Sequence, residues 1–155
     1  MSNARDDRDR LQHNRKRKGS ESILTASEEI GQMHFSTENY TTAIEYFQEA
    51  LKSSELKDYP DRYRLFLRLC DCHRKKGDYR GAHKFLQLAR ALLSDPVPPD
   101  ALGKIEYREA HGLLVEGRYE QALKRGFAAY RRLKHSSEHG EVAYIQLLLA
   151  NCDRR

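Results

Sequence analysis

A short phrase recurs three times along this chain. It reads Asn39-Tyr40-x-x-Ala43, then Asp78-Tyr79-x-x-Ala82, then Arg118-Tyr119-x-x-Ala122. A second alanine follows each first one after seven positions, at Ala50, Ala89 and Ala129. The tyrosines are 39 and 40 residues apart. A fixed period with aromatic and small residues in phase marks a stack of similar units, each unable to bury its apolar face alone. Such a chain is a scaffold, and its function is expected in a surface rather than in a reaction centre.

Between the tyrosines the apolar spacing is helical. Leu24, Ile30, Met33 and His34 outline an apolar stripe for a first helix that ends near Ser36-Thr37. The second helix is expected over 40–53, with Ala43, Phe47, Ala50 and Leu51 on one face. Pro60 suits the first turn of a third helix, over 61–76, which Gly77 ends. The fourth covers 79–93. A proline-rich break follows, with Asp100 as the expected cap of a fifth helix over 101–116, ended by Gly117. The sixth covers 119–133, and the seventh runs from Glu141 to the last residue. Very short turns within pairs force antiparallel neighbours. Alanines one heptad apart let helix axes approach closely, and the tyrosine after each turn is placed to fill the gap between pairs.

At 155 residues and 39% hydrophobic content the chain is long enough for one core. No apolar run approaches the roughly 18 residues of a membrane helix. Three cysteines without framework spacing fit free thiols in a reducing, cytoplasmic setting. The net charge of +5 is uneven. Seven Lys and Arg stand against three Asp in the first eighteen residues, so the body is close to neutral. Residues 1–21 hold too little apolar surface to order themselves and are read as a basic tail or linker. Nucleic-acid contact is expected only through that tail, at Arg15, Lys16, Arg17 and Lys18.

The three phrases resemble the tetratricopeptide repeat family over residues 22–155. The first repeat matches with Gly31, Tyr40, Ala43, Phe47 and Ala50. The second matches with Cys70, Gly77, Tyr79, Ala82, Leu86 and Ala89. The third matches with Ala110, Gly117, Tyr119, Ala122 and Ala129. It departs at Gly126, where an aromatic or leucine is usual, and at Glu106 and Glu109, where apolar residues are usual. The fourth keeps only its first helix. The common repeat is about 34 residues long, so this is a long-period variety. The resemblance implies an all-α, right-handed α-solenoid of antiparallel helix pairs, three pairs plus one further helix. Similar long repeats are frequent in signalling and transcription-regulator proteins, where the array receives a partner or holds an output domain inactive.

In the last helix, Leu147, Leu148 and Leu149 span about 200° of its circumference, too wide for one buried face. The segment is therefore expected to be a piece of a longer array, with an apolar C-terminal helix free to self-associate.

Reactive chemistry finds little support. Cys70 and Cys72 point about 200° apart on a helix, and Cys70-x-Cys72-His73 does not have zinc spacing. His34 and His73 share one repeat position and read as structural. No phosphate loop, paired-carboxylate motif or nucleotide fingerprint is present. Neither an enzyme nor a cofactor is expected.

In the family the first helix of each pair lines the groove. By phase the groove takes Thr25, Glu28, Gln32, Phe35 and Ser36 from the first pair. It takes Arg64, Leu67, Asp71, Arg74 and Lys75 from the second, and Lys104, Tyr107, Arg108, His111 and Leu114 from the third. Asn151 and Arg154 follow. Lys104 and Arg108 occupy two positions of a carboxylate clamp, but Glu28 and Gln32 replace its other cation and amide, so a C-terminal carboxylate is not expected there. The resulting expectation is a non-catalytic protein- or peptide-binding module with an acidic partner. Phe35, Leu67, Tyr107 and Leu114 would supply affinity, and Arg64, Arg74, Lys75 and Lys104 orientation. Two alternatives stay open: a regulatory arm of a transcription factor or kinase with nucleic-acid contact from the tail or another domain, and an oligomerisation or spacer module.

Overall fold

The computed structural model describes residues 26–52, 59–137 and 139–154. The expected basic tail, with Leu24 and Thr25, lies outside them. All regular structure among the described residues is helical. The helices are α1 (26–36), α2 (Tyr40–Lys52), α3 (Tyr59–Lys75), α4 (Tyr79–Ala91), α5 (Pro99–Val115), α6 (Tyr119–Leu133) and α7 (His139–Asp153). The chain forms two compact units, Met1–Asp78 and Tyr79–Arg155.

In the first unit, the repeat alanines do what their spacing predicts. Ala43 and Ala50 are buried on α2 around a fully buried Phe47. That ring lies against Gly31 of α1, where an added Cβ would meet it at 2.7 Å. His34 stacks on Tyr46 with ring centroids 5.6 Å apart, and Phe35 meets Tyr40 edge-on at 5.4 Å. One expectation needs correction. Ile30 and Met33, placed on the buried stripe of the first helix, are exposed, Met33 at 69%. Glycine at position 31 sets which face of α1 packs, because only a missing side chain lets α2 come so close.

The second unit is built around α5. Helices α4, α6 and α7 all pack on it. Ala110 on α5 and Ala122 and Ala129 on α6 have no exposed surface, and Leu133, Ile145, Leu148 and Cys152 complete the core. Gly103 admits α6, since a Cβ there would meet Leu133 at 2.8 Å. Helix α5 starts two residues earlier than expected: Pro98 takes the N-cap position and Pro99 the first turn. Asp100 therefore sits inside the helix, where its charge still complements the macrodipole.

The turns ending α1, α3 and α5 share one hydrogen-bond pattern. The Gly77 N–H donates to the Arg74 carbonyl at 3.0 Å and the Asp78 N–H to the His73 carbonyl at 2.9 Å. Gly117 and Arg118 repeat this with Leu114 and Leu113. Both glycines are left-handed, with φ of 78° and 75°. Such a pair of bonds satisfies the last carbonyls of a helix. At the first turn, Glu38 and Asn39 make the same bonds to Phe35 and His34, but the left-handed residue is Glu38, at φ 60°.

Candidate functional site

In the first unit, α1 and α3 bring most of their groove-phase residues onto one neighbouring face. The Arg64 guanidinium grips Glu28 with two bonds of 2.7 Å and reaches Asp61 at 3.0 Å. The hydrogen bonding of Arg64 to the Glu28 carboxylate is the largest influence holding the Arg64 pKa up. Residues read separately as a repulsive acid and an orienting cation are thus a matched pair across two helices. Arg74 stands 3.7 Å from Asp71. Two buried polar atoms on this face, Gln32 Oε1 and Arg74 Nε, have no hydrogen-bond partner among the described residues. Lys75 is exposed and Phe35 is half-buried. Leu67 is only 5% exposed, so it holds α3 in place and offers little to a visitor. Ser36 donates back to the Gln32 carbonyl at 3.0 Å.

In the second unit the groove-phase residues repeat the burial of their α3 counterparts, except at Arg108. Tyr107 is 7% exposed and belongs to the core that joins α5 to α6 and α7. Leu114 packs partly against that core. Arg108 is buried, donating to the Lys104 carbonyl at 2.9 Å and to Glu141 of α7 at 3.2 Å. It acts as a strut between α5 and α7. Lys104 and His111 are half-buried, and Asn151 and Arg154 are exposed.

The departures of the third repeat are compensated by residues that spacing alone does not connect. Glu106 is buried and accepts a 2.9 Å bond from Arg132 of α6. Glu109 pairs with Arg90 of α4 and, at 3.3 Å, with Arg125 of α6. Gly126 stands where Leu148 and Leu149 of α7 press close, 3.3 and 3.0 Å from where a Cβ would lie. Each departure has a partner on another helix. A search for charges of opposite sign on adjacent helices would have suggested the pairings but not their geometry.

No group of three or more metal-type ligands gathers among the described residues. Cys70, Cys72 and Cys152 are buried free thiols. Burial, ahead of the neighbouring Asp71 charge, pushes Cys72 up to about 12, so it is a poor nucleophile. Burial also raises Cys152. His73 Nδ1 lies 2.8 Å from Asp78, at the turn. Among the described residues no helix is long and apolar enough to cross a membrane.

Residues 22–95 match the model of the tetratricopeptide repeat family. The curated proteins contain no match to the chain. Among solved structures it is similar to the C-terminal TPR-containing domain of a Plasmodium falciparum protein described as an FK506-binding protein. The TM-score is 0.56 and the identity 17%, over 88% of this chain and 94% of that one. At that identity the likeness carries the fold alone. The match gives residues 22–95 the tetratricopeptide repeat pattern, and the likeness gives the chain an all-α fold of that class.

Proposed function

We propose that this chain is a binding module that takes an extended segment or helix of an acidic protein partner, as part of a larger regulatory protein in a reducing, cytoplasmic setting. Tetratricopeptide repeats generally mediate protein–protein interaction, and their fold is in general a non-catalytic scaffold. The observation that carries the reading is the pair of buried, unsatisfied atoms on the α1–α3 face, Gln32 Oε1 and Arg74 Nε. An acceptor and a donor left in that state are costly, and a peptide backbone offers the complement of both. Lys75 adds an exposed charge beside them, and Phe35 an apolar contact. Lys104, His111 and Leu114 form a separate proposed surface within the second unit. Leu67 supports the first surface from beneath, and Tyr107 and Arg108 support the second.

Charge reversal of both Arg74 and Lys75 to Glu is expected to weaken binding of an acidic peptide at least about tenfold, some 1.4 kcal/mol. Titration calorimetry reads this directly, and unchanged affinity would remove the face from consideration. A second reading, self-association, has its own observation. Helix α7 buries Ile145, Leu148 and Cys152 yet leaves Tyr144 63% and Leu147 58% exposed. Leu147→Glu is expected to abolish any concentration-dependent mass increase in sedimentation while leaving the circular dichroism unchanged.

A further inference from the structure

Helix α6 divides its basic residues between two tasks. Arg125 and Arg132 flank its buried face and pair with Glu109 and Glu106 of α5. Lys124 and Arg131 turn away from the core. With Phe127 and Lys134 they fall at helical positions i, i+3, i+7 and i+10, a single line opposite Ala122, Gly126, Ala129 and Leu133. All four are exposed, Phe127 at 51%. Lys124, Arg131 and Lys134 have no ion-pair partner among the described residues. Glu120 is the acidic residue of the helix's first turn, where the macrodipole favours it. Charge over the whole chain leans the same way. Residues 79–155 contain thirteen Lys and Arg against nine Asp and Glu, while residues 19–78 contain eight against eleven. A near-neutral average thus conceals a cationic C-terminal half.

Solvated cations alone are ordinary. An exposed phenylalanine centred in a line of them is different, because its ring stacks on no other among the described residues. The line is about 15 Å long at roughly 1.5 Å per residue. That is the length over which a second helix presents three turns of side chains. An apolar residue at its middle would cover Phe127, while carboxylates one turn to either side would meet Lys124, Arg131 and Lys134. An anionic membrane fits less well, since three cations contribute only about 1 kcal/mol each near such a surface and one ring is a poor anchor. Single-stranded nucleic acid would call for successive stacking rings, and the line has one.

We infer that the outer face of α6, the line Lys124, Phe127, Arg131 and Lys134, docks an acidic amphipathic helix of a partner protein. This face is separate from the α1–α3 groove and uses none of its residues.

The test uses the full chain and a glutamate-rich helical peptide of about 15 residues with leucines along one face. Fluorescence anisotropy is expected to show saturable binding that weakens with added salt. Joint reversal of Lys124, Arg131 and Lys134 to Glu should weaken it at least about tenfold, and Phe127→Ala about tenfold. Phe127→Ala keeps every charge, so it separates docking from general attraction, and circular dichroism confirms that each variant is folded. The same measurement on the Arg74 and Lys75 reversal, which disables the groove, should still show this binding and its loss on adding Phe127→Ala, which keeps it distinct from the groove. The inference is overturned if the peptide shows no binding at about millimolar concentration, or if Phe127→Ala or the triple reversal has no effect. Equally tight binding of phosphatidylserine vesicles or of a uridine oligomer would overturn it too.

Discussion

Arg68 and Arg108 share a phase in the repeat, 40 positions apart, and differ in burial, whereas Leu67 and Tyr107, also 40 apart, are both buried. On α3, Arg68 is half-buried, and farther along Arg74 is half-buried with its own Nε unsatisfied. On α5, Tyr107 and Arg108 are buried, one in the core and the other tethering α7. The difference follows from the number of neighbours. Three helices pack on α5 within its unit, so residues that repeat logic places on an open face are covered there. The lesson is that periodicity assigns a residue to a side of a helix, whereas accessibility depends on what packs against that side.

Three sets of substitutions would break or sharpen this contrast. The largest effect is expected in the second unit, at the buried carboxylate of Glu106. Arg132→Leu strands that charge and is expected to cost about 2–4 kcal/mol in urea denaturation, the lower end reflecting the partly exposed guanidinium. Adding Glu106→Leu should restore most of the loss; if it does not, the pair is not what holds α5 to α6.

Next comes backbone approach, where the two units are expected to behave alike. Gly31→Ala drives a Cβ into the Phe47 ring, and Gly103→Ala drives one into Leu133. Each is expected to cost about 1–3 kcal/mol, read as a lowered denaturation midpoint. A neutral Gly31→Ala would show that α1 and α2 can separate without penalty.

The smallest effect concerns the three matched turns. Glu38 holds a left-handed conformation that Gly77 and Gly117 adopt without steric cost. Glu38→Gly is expected to stabilise the chain by up to about 1 kcal/mol, the relief of strain being offset in part by a freer unfolded chain. Gly77→Ala is expected to destabilise by a similar amount. Thermal melts of the two variants should shift in opposite directions.

Much of the fold was legible in the residues. The Tyr-x-x-Ala phrases located the starts of α2, α4 and α6 at Tyr40, Tyr79 and Tyr119, and Gly77 and Gly117 marked two turns. These signals are local: a left-handed turn asks for glycine, and close helices ask for alanine. The first turn was harder to read because Glu38 stands in the glycine position. The packed face of α1 was misjudged because Ile30 and Met33 carry the apolar weight while Gly31 carries the contact.

The groove-phase residues show the limit more sharply. Sequence spacing put Glu28, Arg64, Tyr107 and Arg108 on one kind of face. Only the folded helices paired Glu28 with Arg64, sank Tyr107 into the core and turned Arg108 toward Glu141. The sequence by itself determined helix positions, turn chemistry and the small residues at each crossing, because those depend on neighbours within a few turns of chain. Tertiary structure decided which charges neutralise one another and which side chains remain available, because Coulomb attraction and burial depend on distances between residues 26 to 36 positions apart.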